Sequence, residues 1–191
     1  CKSFMMGNML RVTNDIWDEQ KGIDQCFEAW RKWYGYSKPG FWIDMDMIPF
    51  GNLQLMSPQP KNKTKKQKAV RLSGHGYNRV SEFTKPQMYT FITMRALSAS
   101  PLMMGGDLPT LDAFSLKLIT DKDMLACNQN GVMGALEYDS NGIETWVTPK
   151  KADDTTGWLG VFNRTGKPIK VKATTQLLGL ADAQNRSLRD V

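Results

Sequence analysis

Histidine is nearly missing from this chain. His75 is the single one, in a Gly74-His75-Gly76 loop context, and the three cysteines, Cys1, Cys26 and Cys127, show no metal or redox spacing. A lone imidazole without cysteine partners argues against a transition-metal site. Cys26 lies in a helical apolar pattern and Cys127 beside Leu125 and Ala126, so both read as buried free thiols. The odd thiol count leaves the redox compartment open. No apolar run approaches the roughly 18 residues of a membrane span. The chain opens on Cys1 rather than Met, shows no signal-peptide pattern and stops at Arg189-Asp190-Val191, so a fragment of a longer protein is expected. It has no internal repeat.

Acidic residues are outnumbered, 19 against 25 basic, but the excess is local. Residues 61–71 hold five Lys and one Arg and no acid, which leaves 19 basic residues against 19 acidic in the rest of the chain. A neutral body with one basic loop reads as a solvated insertion, with an anion-binding or polymer-binding loop as the alternative. A nucleic-acid binder, with basic charge spread over a docking face, is not expected.

What is present is a 191-residue chain of ordinary 41% hydrophobic content, long enough for one domain or one and a part. Residues 9–14 read as a strand. Residues 18–36 read as an amphipathic helix with Ile23, Phe27, Trp30 and Tyr34 on one stripe, Trp33 widening it and Gly35 to Gly40 ending it. Residues 41–44 form a second strand. Residues 49–84 are a long irregular stretch of the kind that is functional or disordered. A helix then starts at Pro86 with Thr84 as its cap, carries Met88, Phe91, Ile92, Arg95 and Ala96 at helical spacing, and ends near Ser100-Pro101. Residues 102–104 read as a short buried strand, followed by helices over 111–119 and 121–126, the latter capped by Asp121. This alternation is the pattern of βα units and a parallel sheet. After Gly131 the texture changes to short strands, at 135–138, 143–147, 158–163, 169–174 and 187–191, separated by turn residues. That predicts an antiparallel β domain beyond a boundary near residue 130, dividing the chain into 1–130 and 131–191.

Two stretches carry candidate chemistry. In Arg11-Val12-Thr13-Asn14-Asp15-Ile16-Trp17-Asp18, strand alternation turns Arg11, Thr13 and Asp15 the same way. In Phe41-Trp42-Ile43-Asp44-Met45-Asp46-Met47-Ile48 it does the same for Asp44 and Asp46. A guanidinium, a hydroxyl and carboxylates suit a polar pocket at the ends of adjacent strands. Each has a plainer reading as well. Asp15 suits a cap on the helix that follows, Asp44 and Asp46 suit a turn, and Trp17 and Trp42 suit a core as well as a sugar face.

Those stretches, with Asn8-Met9-Leu10 preceding the first, resemble the acid/base strand and the Trp-x-Asp-x-Asp-Met signature of glycoside hydrolase family 27, the α-galactosidase and α-N-acetylgalactosaminidase family. Ala99-Ser100-Pro101-Leu102-Met103-Met104-Gly105-Gly106-Asp107-Leu108 resembles its eighth-strand segment, and residues 118–129 resemble the helix that closes its barrel. The β-rich tail, with Gly160-Val161-Phe162-Asn163-Arg164-Thr165, resembles its C-terminal β domain. The resemblance implies an α/β fold: about the last three strands of a (β/α)8 TIM barrel, followed by the start of an antiparallel β-sandwich domain. It implies a retaining hydrolase releasing terminal α-linked galactose from oligosaccharides or glycoconjugates, with Asp15 as catalytic acid/base and a nucleophile on a strand outside this chain. Arg11, Asp46, Asp44 and Trp42 are the implied substrate-binding residues. No metal, organic cofactor, nucleic acid or membrane span is implied, the isolated chain is expected to be inactive, and a secreted or periplasmic setting fits the family. Met45 stands where the family commonly has proline, and the insertion over 52–84 interrupts the family's spacing. The alternatives are a hydrolase of N-acetylgalactosamine or β-L-arabinopyranose linkages, or an inactive carbohydrate-binding barrel.

Overall fold

The computed structural model describes residues 6–57, 77–151 and 156–178. The basic loop at 61–71, His75, Cys1 and the predicted strand at 187–191 lie outside the described residues.

The first unit is β1 (Met9–Arg11), α1 (Gln20–Trp33) and β2 (Trp42–Asp44). β1 and β2 pair in parallel, with Met9 opposite Trp42 and Arg11 opposite Asp44, so the unit is βαβ as expected. α1 buries Ile23, Phe27 and Trp30 of the predicted stripe. Tyr34 falls past the helix end and is exposed, because Gly35 turns the chain at a φ of 82°. Gly22 is required where α1 crosses the preceding loop: a β-carbon there would stand 2.6 Å from the Trp17 carbonyl oxygen.

Within the stretch expected to be irregular, β3 (Asn52–Leu53) and β4 (Arg79–Val80) pair antiparallel and close the base of the insertion. α2 (Lys85–Leu97) follows, with the predicted Thr84 cap completed into a capping box by Gln87 and with Pro86 in the first turn. It is the central helix, burying Met88, Phe91, Ile92, Met94, Arg95, Ala96 and Leu97. It stops at Leu97, three residues before the predicted end, where Ala99 takes a φ of 50°.

Residues 102–104 do not form the predicted buried strand. They make one parallel bridge, Ile48 to Met104, and Met103 is exposed. The neighbouring chain has by then left strand geometry at Asp46, and Pro49 has no N–H to extend a ladder. The bridge still sets a third chain segment parallel beside the β2 side, with Ile48 N–H donating to the Met103 carbonyl at 2.7 Å.

α3 (Ala113–Ile119) and α4 (Lys122–Asn128) are capped by Asp112 and by the predicted Asp121. β5 (Ala135–Ser140), β6 (Ile143–Pro149) and β7 (Gly157–Asn163) form an antiparallel sheet in sequential order. The β5–β6 turn is Asn141-Gly142, both at positive φ, the two-residue geometry that matches strand twist. The strand predicted at 169–174 is not formed. Ile169 and Val171 are exposed, and Pro168 lacks the N–H a ladder needs. One aromatic cluster joins the sheet to the helices: Trp30 stacks on Trp146 at 3.7 Å between centroids, and Phe162 meets Phe27 edge-on at 5.0 Å. The Trp30 indole N–H donates to the Gly134 carbonyl. Cys26 and Cys127 are buried free thiols, their pKa values pushed up by burial to about 11 and about 12.

Candidate active site

The site forms where β1 and β2 end side by side. Their register sets Arg11 against Asp44, and the Val12 N–H donates to the Asp44 carbonyl at 2.9 Å, carrying the pairing one residue further. The strands then stop, so the alternation expected to align Thr13 with Arg11, and Asp46 with Asp44, does not extend that far. Side-chain bonds do the aligning instead.

Arg11 Nη2 lies 2.7 Å from Asp15 Oδ1 and 3.2 Å from Asp46 Oδ2, joining an exposed carboxylate to a mostly buried one. Asp46 sits at a φ of 72°, and its Oδ2 also accepts the Ile16 N–H at 2.7 Å. Asp44 is buried, and its Oδ1 accepts the Asp46 N–H at 2.8 Å, the short local turn that aspartate favours. The hydrogen bond to Asp15, with the charges of Asp46, Asp15 and Asp44, raises the Arg11 pKa above its usual value against the effect of partial burial.

The structure thus brings Arg11, Asp15, Asp44 and Asp46 together. Asp15 does not cap α1: that position is Glu19, which makes no side-chain cap bond. Arg11, Thr13, Asn14, Asp15 and Gln25 line an open cleft of about 640 Å³. Trp42 is not among its lining residues. Its indole tip lies toward Gly131, where a β-carbon would be 3.7 Å away. Trp17 is buried in the core.

Residues not singled out from the sequence complete the surroundings. Asp18, buried, forms a two-pronged ion pair with Arg79 at 2.7 and 2.6 Å and accepts the Glu82 N–H, tying the loop after Asp15 to β4. Arg95, fully buried on α2, reaches the 45–47 backbone. Its signal in the sequence was an arginine on an otherwise apolar stripe. Among the described residues no cluster of His, Cys, Asp or Glu has metal-holding geometry, and no helix is long and apolar enough to cross a membrane.

No protein-family model matches the chain. Curated relatives do. The chain is 25% identical over 190 residues to alpha-galactosidase 2 of Arabidopsis thaliana, covering 97% of this chain and 40% of that protein. It is 25% identical over 188 residues to the alpha-galactosidase of Cyamopsis tetragonoloba, covering 97% and 38%. Among solved structures, a GH27 β-L-arabinopyranosidase from Geobacillus stearothermophilus superposes with a TM-score of 0.77 at 28% identity, over 95% of this chain and 39% of that one. The chain therefore spans about 40% of the length of the curated relatives it matches. Alpha-galactosidases and a GH27 structure are thus what this chain is similar to along nearly all of its residues, and the family they point to is glycoside hydrolase family 27.

Proposed function

We propose that this chain supplies the acid/base side of a retaining glycoside hydrolase site that releases terminal α-linked galactose. The observation that carries the reading is the Arg11 guanidinium held between Asp15 and Asp46 at the paired ends of β1 and β2. Asp15 is the carboxyl group with solvent access. In this reading it protonates the glycosidic oxygen as the bond breaks, then takes a proton from the water that hydrolyses the glycosyl-enzyme. Arg11 fixes the direction of Asp15 and contacts sugar hydroxyls. Asp46, anchored by the Ile16 N–H, backs Arg11 from behind the cleft, and Asp44 holds the turn beneath it; Trp42, at the opposite end of β2 and turned toward Gly131, takes no part in this reading. The nucleophilic carboxylate comes from a strand outside this chain.

The same reading takes β1, β2 and the segment bridged at Met104 as consecutive strands of a (β/α)8 barrel, with the chemistry at their C-terminal ends. Residues 1–130 then belong to the barrel and 131–191 to a β domain. The 191 residues alone, without the nucleophile, turn over no aryl α-galactoside. A second reading is a β-L-arabinopyranosidase, favoured by the structural neighbour with that activity. Arabinopyranose is galactose without its exocyclic hydroxymethyl group, so one pocket wall separates the two.

The test uses the full-length protein on a panel of aryl α-galactosides, α-N-acetylgalactosaminides and β-L-arabinopyranosides. The α-galactoside is expected to show the highest kcat/KM. Asp15→Asn is expected to lose roughly 10²- to 10⁴-fold on substrates with poor leaving groups and far less where the departing group needs no proton. Equal, small losses on both substrate types would remove Asp15 from the role.

A further inference from the structure

Arg95 is an arginine with no carboxylate in contact. Its side chain is fully buried on α2, beneath the turn that follows β2. Nη2 donates to three successive carbonyls, those of Met45, Asp46 (2.8 Å) and Met47 (3.3 Å). Nη1 donates to Ser100 Oγ at 2.8 Å, and the same Oγ accepts the Met45 N–H at 3.1 Å. The Phe91 ring lies 5.0 Å from the guanidinium carbon. Asn128 completes the shell, donating to the carbonyls of Arg95 and Ser100 at 3.0 and 2.8 Å.

Those three carbonyls flank and include Asp46, the residue at a φ of 72°. A left-handed aspartate is tolerated where its surroundings over-determine it. Here every backbone carbonyl from 45 to 47 is turned inward onto one buried cation. That leaves the Asp46 side chain on the other side of the turn, where it meets Arg11 and the Ile16 N–H. A buried guanidinium is costly to desolvate, and burial lowers the Arg95 pKa from its usual value. The carbonyl hydrogen bonds, with the charges of Asp44 and Asp46, offset part of that cost.

We propose that Arg95 is a positioning residue: by gathering the carbonyls of Met45, Asp46 and Met47 it locks Asp46 in the left-handed conformation that aims its carboxylate at Arg11. Its effect on turnover rests on the function proposed above; its effect on the geometry of Asp46 does not.

The test has two arms, both on the full-length protein. In a crystal structure of Arg95→Met, Asp46 is expected to leave the positive-φ region and to lose its bond to the Ile16 N–H. Retention of both would overturn the proposal whether or not any glycoside is turned over. In kinetics, Arg95→Met is expected to lower kcat roughly 100-fold, the scale of a small misplacement in a site, with KM changed less than about threefold. In an Asp46→Asn background the same substitution is expected to lower kcat less than about threefold, because its effect runs through the Asp46 carboxylate. Losses that multiply independently would overturn it. Where Arg95→Met does not fold, Arg95→Lys takes its place in both arms, since an ammonium keeps the charge without the planar fork. It is expected to give a smaller shift of Asp46 than Arg95→Met, with a correspondingly smaller loss of about 10-fold, and an unchanged Asp46 would be contrary. A wild-type protein inactive on the whole panel would sink the functional reading and leave the crystallographic arm standing.

Discussion

Arg11 and Asp46 meet at 3.2 Å across two parallel strand ends, although 35 positions separate them in the chain. Arg11 bonds Asp15 with the same nitrogen, so one guanidinium sets the spacing between an exposed carboxylate and a mostly buried one. Because Arg11 and Asp15 are both well exposed, their pair contributes only about 0–1 kcal/mol to folding. Arg11→Met is therefore expected to leave the melting temperature nearly unchanged while lowering kcat/KM roughly 10- to 100-fold, the scale of one charge-assisted hydrogen bond. Arg11→Lys, which lacks the fork, recovers only part of it. Thermal unfolding and steady-state kinetics on the two variants check the split. A large fall in melting temperature with kinetics intact would contradict it.

Asp18 and Arg79 behave in the opposite way. Their ion pair is shielded from solvent, and the Asp18 carboxylate also satisfies the Glu82 N–H. Asp18→Ala strands a mostly shielded guanidinium and a backbone donor, so a loss of about 3 kcal/mol, the lower end for a broken buried pair, is expected. Adding Arg79→Ala should restore part of it by removing the unpaired cation. Denaturant unfolding of the two single variants and the double variant measures the coupling.

Asp112 gives a pH signature. It caps α3 through the Phe114 and Ser115 N–H groups, and its Oδ2 accepts the Ser115 hydroxyl at 2.6 Å. The Ser115 hydroxyl bond, then the Ser115 and Phe114 amide bonds, hold its pKa below the usual carboxylate value. A folded pKa below the unfolded one means the stabilisation is complete above the unfolded value, about 3.9, and is lost as pH falls through the lower folded value. Asp112→Ala is expected to melt below wild type at pH 7, with the gap narrowing steadily below about pH 4. A gap independent of pH would mean the carboxylate charge plays no part.

The parts of the fold legible in the sequence were those with local physical causes. Thr84 and Asp121 cap helices because a short oxygen-bearing side chain precedes an apolar repeat. Asn141-Gly142 turns a hairpin because both positions need positive φ. Ile23, Phe27 and Trp30 are buried because they share one helix face. What escaped was set by non-local contacts. Residues 102–104 and 169–174 have strand composition but lack a continuous partner ladder. Asp46 leaves the strand for a conformation that no period encodes, and Arg95, placed among apolar residues by spacing, reads as a stripe position until the turn it clamps is in view. The acidic cluster itself was found through residue type and order, and its actual alignment comes from Arg11 and the Ile16 N–H rather than from strand alternation.

The central claim is that Asp15 is the acid/base of a retaining hydrolase. Chemical rescue of Asp15→Ala by azide tests it most directly. With an activated aryl α-galactoside, the glycosyl-enzyme still forms but lacks the base that activates water, so azide should accelerate turnover and yield α-galactosyl azide, the retained anomer. Absence of rescue, or formation of the inverted β-azide, would contradict the account; the inverted product would make Asp15 the nucleophile instead.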